Sequence, residues 1–517
     1  MFNSESSFEI KGKEYESSIE VDDNELIKQG YKPELLRNFS FLSVLGVSFG
    51  LTNSWLGISS SLATGIGSGG PLLIIYGLII VGFFNFNIGI SLSELISAYP
   101  NSGGQYYWTV QLAPNKYKNF LGYVTGNLCW LGSVFTCASI TLSASISIVA
   151  VYGLNNPDYE FKKWHVFLTH ELFNATVSLF NIWERPLSTI STIALIISLL
   201  TFLATFLICL ICSRGNYQSA SFVFNEFRNS TGWNLSSISF IVGLINPSWA
   251  FVGLDSASHM AEELKNPAVV IPRCIMGTIV LGFVTALSYS IAMFFCIRDT
   301  DSVVNSLYPI MEIFYQLTNS TVGASCMTAL MISCGFLCNI AANTWLARNC
   351  WSFARDNGIP GSRFLSRIHP ILKVPLNAHL LSNFCVAIIG CIYMASSTAF
   401  NAIISACIVL LFLSYSIPII CLLLKGRNNI VHGTFWCGNF GYICNFLSLI
   451  WILFCLIFFS FPFSMPVEGS SMNYIPAVYV GVFCYILGYW MLRGKYSFNL
   501  TNRAKEINSS SQIVSIY

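Results

Sequence analysis

The chain has 517 residues, 54% of them hydrophobic and only 10% charged, against roughly 25% charged in a soluble globular domain. That composition excludes a soluble protein and describes one that crosses a membrane many times. The formal net charge of +2 identifies no partner and gives no sign of nucleic acid, because placement of charge carries the information in such a chain.

Residues 1–42 are hydrophilic and acidic (Glu5, Glu9, Glu14, Glu16, Glu20, Asp22, Asp23), with no early apolar core. They read as a cytosolic tail without a cleaved signal peptide. The first span, beginning near Ser43, then acts as an uncleaved anchor. A span needs about 20 mostly apolar residues. Twelve segments answer to that, over 43–65, 71–97, 119–151, 165–184, 188–212, 236–259, 271–297, 323–347, 376–394, 399–424, 441–463 and 473–492. The pattern predicts an all-α polytopic membrane protein: a transporter domain over 43–492, a short cytosolic tail over 493–517, and both termini on one side.

Basic residues choose the side. Of the 26 Lys and Arg, five fall in loops that are outside if the termini are cytosolic: Lys162, Lys163, Arg214, Arg228 and Arg298. The inner segments hold the rest, including Lys11, Lys13, Lys28, Lys32 and Arg37 before the first span and Arg348, Arg355, Arg363, Arg367 and Lys373 after the eighth. The asymmetry follows the positive-inside rule. The sequons at Asn229, Asn234 and Asn319 all fall in loops assigned outside. The 98–118 segment, with Tyr99-Pro100-Asn101-Ser102-Gly103-Gly104-Gln105 leading into Tyr106-Tyr107-Trp108, reads as an amphipathic piece lying at the inner membrane face.

Two apolar runs are interrupted by similar tetrads, Thr52-Asn53-Ser54-Trp55 in the first span and Asn246-Pro247-Ser248-Trp249 in the sixth. Unmade backbone hydrogen bonds are costly in lipid, so such breaks belong where the backbone faces protein or a cavity. Paired broken helices in two halves of a chain point to a secondary transporter's binding site. The freed carbonyls and the Asn53 amide can coordinate a cation or a hydroxyl. Pro247 removes a backbone donor, so the helix is expected to kink or unwind there, with Trp249 and Phe251 facing the opening. Asp255 follows within two turns. An ionisable group inside a span is expensive and reads as functional: a proton carrier, a counter-charge to a cation or an anchor for the broken helix.

Glu94, near the inner end of the second span, is a candidate for coupling or gating. Glu262 and Glu263 read as an inner cap or gate, or as a solvated pair. Trp55 and Trp249 each follow a break, and two indoles meeting there can cage a quaternary ammonium at about 0.5–2 kcal/mol per ring. Tyr123 and Trp130 are further aromatic candidates for the substrate site, as is Trp345. The Gly65-Ile66-Gly67-Ser68-Gly69-Gly70 run has no preceding strand and no following Lys, which argues against a nucleotide loop. Cys209 and Cys212 form a CxxC inside a span and read as small buried hydrophobes. No metal or cofactor is expected, and no enzymatic constellation of ligand spacing stands out.

Together these features resemble the amino acid–polyamine–organocation superfamily of permeases, from about Leu36 to Trp490. The stretch Phe49-Gly50-Leu51-Thr52-Asn53-Ser54-Trp55-Leu56-Gly57-Ile58-Ser59 resembles its fungal choline-permease branch, where GABA permeases differ. Ser102-Gly103-Gly104-Gln105, Val242 to Pro247, Trp351 to Gly358 and Val374 to His379 also resemble the family. The 253–264 region, with Gly253 and Ser256 beside Asp255 and then Ala261-Glu262-Glu263-Leu264, is more similar to the general permease pattern.

The resemblance implies a LeuT-like five-plus-five inverted repeat with broken helices 1 and 6 and a substrate between the breaks, flanked by spans three and eight. It implies a plasma-membrane importer of choline or a related small amine such as ethanolamine, working by alternating access, with or without a proton. A proton-coupled permease for GABA, another amino acid or a polyamine is the alternative, and a nutrient sensor that transports little is another.

Overall fold

The computed structural model describes residues 20–395, 399–469, 472–498 and 500. The acidic positions Glu5, Glu9, Glu14 and Glu16, and the C-terminal tail beyond residue 500, lie outside the described residues.

The described residues form helices and no strand. Ten helices are long and apolar enough to cross a membrane. They coincide with ten of the twelve expected spans. The fourth expected span is the Lys163–Phe180 helix, whose His165, His170, Glu171 and Asn174 keep it outside that set. The sixth is divided into three short pieces, Ser236–Gly243, Ile245–Trp249 and a 3-10 turn over Ser256–Glu263.

Local chemistry explains the first break. Phe41–Thr52 begins with a Ser40/Ser43 capping box and ends where Asn53 adopts φ 31°, ψ 60°. Asn enters this left-handed region more readily than most residues because its side chain bonds locally. Here Ser198 Oγ donates to Asn53 Oδ1 at 3.0 Å. The helix restarts as Ser54–Ser60. A second interruption falls at Gly70, φ 67°, just before Pro71, and separates the first span from the next.

The second break sits later than the sequence predicts. Pro247 lies inside the short Ile245–Trp249 helix, near its start, where a missing N–H costs little. The chain leaves helical geometry after Trp249, over 250–255, with Gly253 at φ 81°. A Cβ on Gly253 would also meet the Leu51 side chain at 2.3 Å.

The 98–118 segment is not an amphipathic surface piece. Its Gln105–Leu112 helix is buried along nearly its whole length, packed on the Lys118–Asn155 and Ala399–Lys425 helices. Polar groups that suggested an aqueous interface find partners inside: the Trp108 indole donates to the Tyr99 carbonyl at 3.0 Å, and the Tyr106 hydroxyl to Asp356 at 2.8 Å. Residues 20–39 likewise do not stand apart as a tail. Tyr31 is buried, and Asn101 donates to Gln29 Oε1 at 2.9 Å. The Lys118–Asn155 helix packs against the Thr321–Arg355 and Ala399–Lys425 helices, and this group faces the two breaks.

Candidate functional site

A narrow cavity of about 40 Å³ lies between the breaks, well short of the ~300–1,000 Å³ of an open small-molecule site. The first break contributes Thr52 and Asn53 and the second Trp249. The Lys118–Asn155 helix contributes Thr136 and Ser147, and Tyr308, just before the Pro309–Thr318 helix, closes one side.

None of the described residues lining this cavity carries a charge. Its polarity has a sign nonetheless. The hydroxyls of Thr52, Thr136 and Ser147 donate into their own helices, to the carbonyls of Ser48, Gly132 and Ala144 at 2.9, 2.8 and 2.6 Å. Each oxygen keeps acceptor capacity once its hydrogen is so engaged. The Trp249 N–H is also taken, by Ser139 Oγ at 3.0 Å. These lone pairs and the Trp249 and Tyr308 rings suit a cation or a hydrogen-bond donor, and the Ser60, Ser143 and Tyr308 hydroxyls and the Asn53 amide add further polar groups to the same wall.

Three of the sequence-derived substrate residues, Thr52, Asn53 and Trp249, line the cavity. The others lie elsewhere. Ser54 packs on Gly282, where a Cβ would meet its hydroxyl at 2.3 Å. The Trp55 indole donates to Ser198 at 3.2 Å, with its ring 5.5 Å from Tyr289 and 6.2 Å from Phe202. The two indoles therefore do not form one cage: Trp249 instead meets Phe400 edge-on at 6.0 Å, and Tyr308 is the second ring at the cavity. Asn246 donates to the Ile58 carbonyl at 3.1 Å and to Ser61 Oγ at 2.5 Å, pinning one broken helix to the other. Phe251 is fully buried near Gly282. Tyr123 meets Trp490 at 5.1 Å and Phe353 at 6.1 Å with tilted rings, and Trp130 donates to Ser382 at 3.2 Å.

Asp255 lies outside the lining, in a buried polar cluster. Its Oδ1 accepts from the Tyr415 hydroxyl at 2.5 Å, and its Oδ2 lies 3.1 Å from His259 Nε2 and 3.7 Å from Cys129 Sγ. Cys129, Asp255 and His259 bring donor atoms within 4.8 Å of one another. The direct His259–Asp255 contact is a hydrogen-bond distance.

A layer of ion pairs seals the N-terminal face. Glu262 is bidentate to Arg355 at 2.7 and 2.8 Å. Arg348 bridges Glu263 at 2.9 Å and Glu184 at 2.5 Å. Glu262 and Glu263 are both buried, which corrects the solvated reading. The Arg355 guanidinium sits 4.1 Å from the Tyr31 ring centroid and 4.4 Å from that of Trp351. Burial pushes the Tyr31 phenol well above its usual range, so it stays protonated and donates to Asp356 at 3.0 Å. Glu94 is remote from the cavity lining and bidentate to Arg427 at 2.7 and 2.8 Å. A second cavity of about 330 Å³ adjoins the first through Ser60, Ser143 and Tyr308 and reaches Leu307 and Pro309.

Sequence reasoning missed Tyr308 and His259. Tyr308 lies in a loop with no interruption to flag it. His259 stands four residues after Asp255, a spacing visible in the sequence, but only the fold shows that the two touch.

Comparison with known proteins places this geometry. The family model "Amino acid permease" matches residues 39–483. The chain is 50% identical to the "Choline transporter" of Saccharomyces cerevisiae over 90% of this chain and 83% of that protein. It is 40% identical to the "7-keto 8-aminopelargonic acid transporter" of the same yeast, over 87% and 91% of the two chains. It is 28% identical to the "Amino-acid permease BAT1" of Arabidopsis thaliana, over 91% and 94%. With its many membrane-spanning helices and a cavity between two broken ones, the chain belongs to the amino acid permease family and is a multi-pass membrane transporter.

Proposed function

We propose that this permease imports choline or a closely related small amine across the plasma membrane by alternating access, with both termini cytosolic. The observation that carries the reading is the uncharged cavity in which the Thr52, Thr136 and Ser147 hydroxyls and the Trp249 N–H are engaged elsewhere, beside the Trp249 and Tyr308 rings. Those lone pairs and π-faces stabilise a quaternary ammonium without an opposing charge on the wall. The Saccharomyces cerevisiae relative named for choline supports the same class. Thr52, Asn53, Trp249 and Tyr308 are the residues assigned to substrate.

Driving force agrees. One positive charge moving through 100 mV gains about 2.3 kcal/mol, roughly a fifty-fold accumulation at about 1.4 kcal/mol per decade. A permanent cation can be concentrated by the potential alone. The sealed N-terminal face and the adjoining cavity on the other side fit one end-state of an alternating cycle. A five-plus-five inverted repeat with broken helices 1 and 6 accounts for two breaks meeting at one cavity.

A second reading is an amino-acid-like zwitterion, favoured by the relative named for 7-keto 8-aminopelargonic acid. Radiolabelled uptake in permease-deficient cells, with choline, ethanolamine, GABA and that amino acid in competition, decides between them. Choline is expected to be taken up and to compete best. Uptake of a zwitterion that excess choline leaves untouched would replace the main reading with the second.

A further inference from the structure

His259 and Asp255 are fully buried, and the hydrogen-bond pattern around them requires a proton. His259 Nδ1 lies 2.9 Å from the Ser102 carbonyl. A carbonyl only accepts, so Nδ1 carries the hydrogen. In a neutral ring Nε2 is then a bare acceptor. It lies 3.1 Å from Asp255 Oδ2, which also only accepts when ionised. Two facing lone pairs repel, and the contact becomes a hydrogen bond only when one proton lies between them.

The surrounding groups do not replace that proton. Tyr415 donates to the other Asp255 oxygen at 2.5 Å. Cys129 Sγ is 3.7 Å from both His259 Nε2 and Asp255 Oδ2, and its S–H also has Gln105 Oε1 at 3.5 Å. Asn349 donates to Cys129 Sγ at 3.0 Å. None of these is a cation. The charges further along the same turn, Glu262 and Glu263, are held by Arg355 and Arg348.

We propose that Asp255 and His259 together form a proton-binding site, loaded while the N-terminal face is closed and emptied when that face opens. The proton belongs to the pair: it makes either a neutral acid against an imidazole or a carboxylate against an imidazolium. Both forms are net neutral and both are bonded. Loss of the proton leaves a buried carboxylate facing a lone pair, which favours parting of the groups the pair links, His259 with its Ser102 loop and Asp255 with Tyr415 on the Ala399–Lys425 helix. The step is a proton bound from one side and released to the other, with no covalent change in the substrate. The inference rests on the alternating-access reading, but not on the identity of the substrate.

Cys129 reports the state of the site, because it is buried in the closed arrangement. Purified full-length protein, without substrate, is treated with a maleimide at about pH 6 and about pH 8, and Cys129 modification is measured by mass spectrometry. In Asp255→Asn the amide donates to Nε2, and in His259→Gln the amide donates to the Asp255 carboxylate. Each keeps a bridging hydrogen that does not titrate. Dividing the wild-type ratio between the two pH values by that of a variant removes the pH dependence that maleimide chemistry has at any thiol, and agreement of the two variants, which change the Cys129 surroundings in opposite ways, excludes an effect on the thiol alone. The expected result is a several-fold excess for wild type over either variant. Equal ratios in wild type and variant overturn the proposal. If one variant fails to fold, the other supplies the comparison. Choline uptake is measured separately in proteoliposomes, so failure of the substrate reading and failure of the proton site are distinguishable.

Discussion

Asn246, in the second broken helix, donates its amide to the Ile58 carbonyl at 3.1 Å, in the short helix that follows the first break. The same amide reaches Ser61 Oγ at 2.5 Å. One side chain thus ties together the two elements whose interruption makes the cavity. Replacing Asn246 by Leu strands these partners in a buried setting, at a cost of about 1–3 kcal/mol. A lower apparent melting temperature in detergent is expected. Unchanged melting would show that the tie does not hold the breaks together.

Trp249 and Trp55 follow equivalent tetrads but occupy different surroundings, so their variants separate. Trp249→Leu is expected to weaken choline transport through KM by roughly three- to thirty-fold, the equivalent of about 0.5–2 kcal/mol of lost cation–π attraction. Trp55→Leu removes packing on Tyr289 and Phe202 and lowers folded abundance, with KM for the surviving protein near wild type. Uptake kinetics normalised to surface protein check both.

The Glu262–Arg355 pair is buried and bidentate. Glu262→Gln removes the carboxylate that is bidentate to the buried Arg355, and breaking one partner of such a pair costs about 3–5 kcal/mol. Strong loss of folded protein is expected from the single variant. The double variant Glu262→Met with Arg355→Met should recover much of the stability, because apolar replacement of both partners removes the buried guanidinium as well. Recovery is read by thermal inactivation of the purified proteins.

Glu94 is bonded to Arg427, and Arg427 also donates to Asn445 at 2.7 Å. A Cβ on Gly441 would lie 1.9 Å from the Arg427 guanidinium. Both Glu94→Gln and Gly441→Ala are therefore expected to reduce stability. The pH profile of residual uptake should keep its wild-type shape. A changed profile in Glu94→Gln would assign the residue to coupling.

The sequence by itself determined the membrane class, most of the spans and both helix interruptions. Each of these is written in short-range chemistry: about 20 apolar residues per crossing, and Asn, Pro and Gly where a helix cannot continue. Asn53 is the clearest case, since its left-handed backbone follows from a residue type that tolerates it. Tertiary structure decided which way each side chain points. Trp55 and Trp249 share a local motif, yet one packs on neighbouring helices and the other faces the cavity. Glu262 and Glu263 look solvated in a charged stretch until Arg348 and Arg355, more than eighty residues away, arrive to pair them. The sign of the cavity wall is set by which carbonyls take the hydroxyl hydrogens, and the proton between Asp255 and His259 is required only because Ser102 is folded against the ring. Those contacts join residues distant in the chain, and packing alone brings them together.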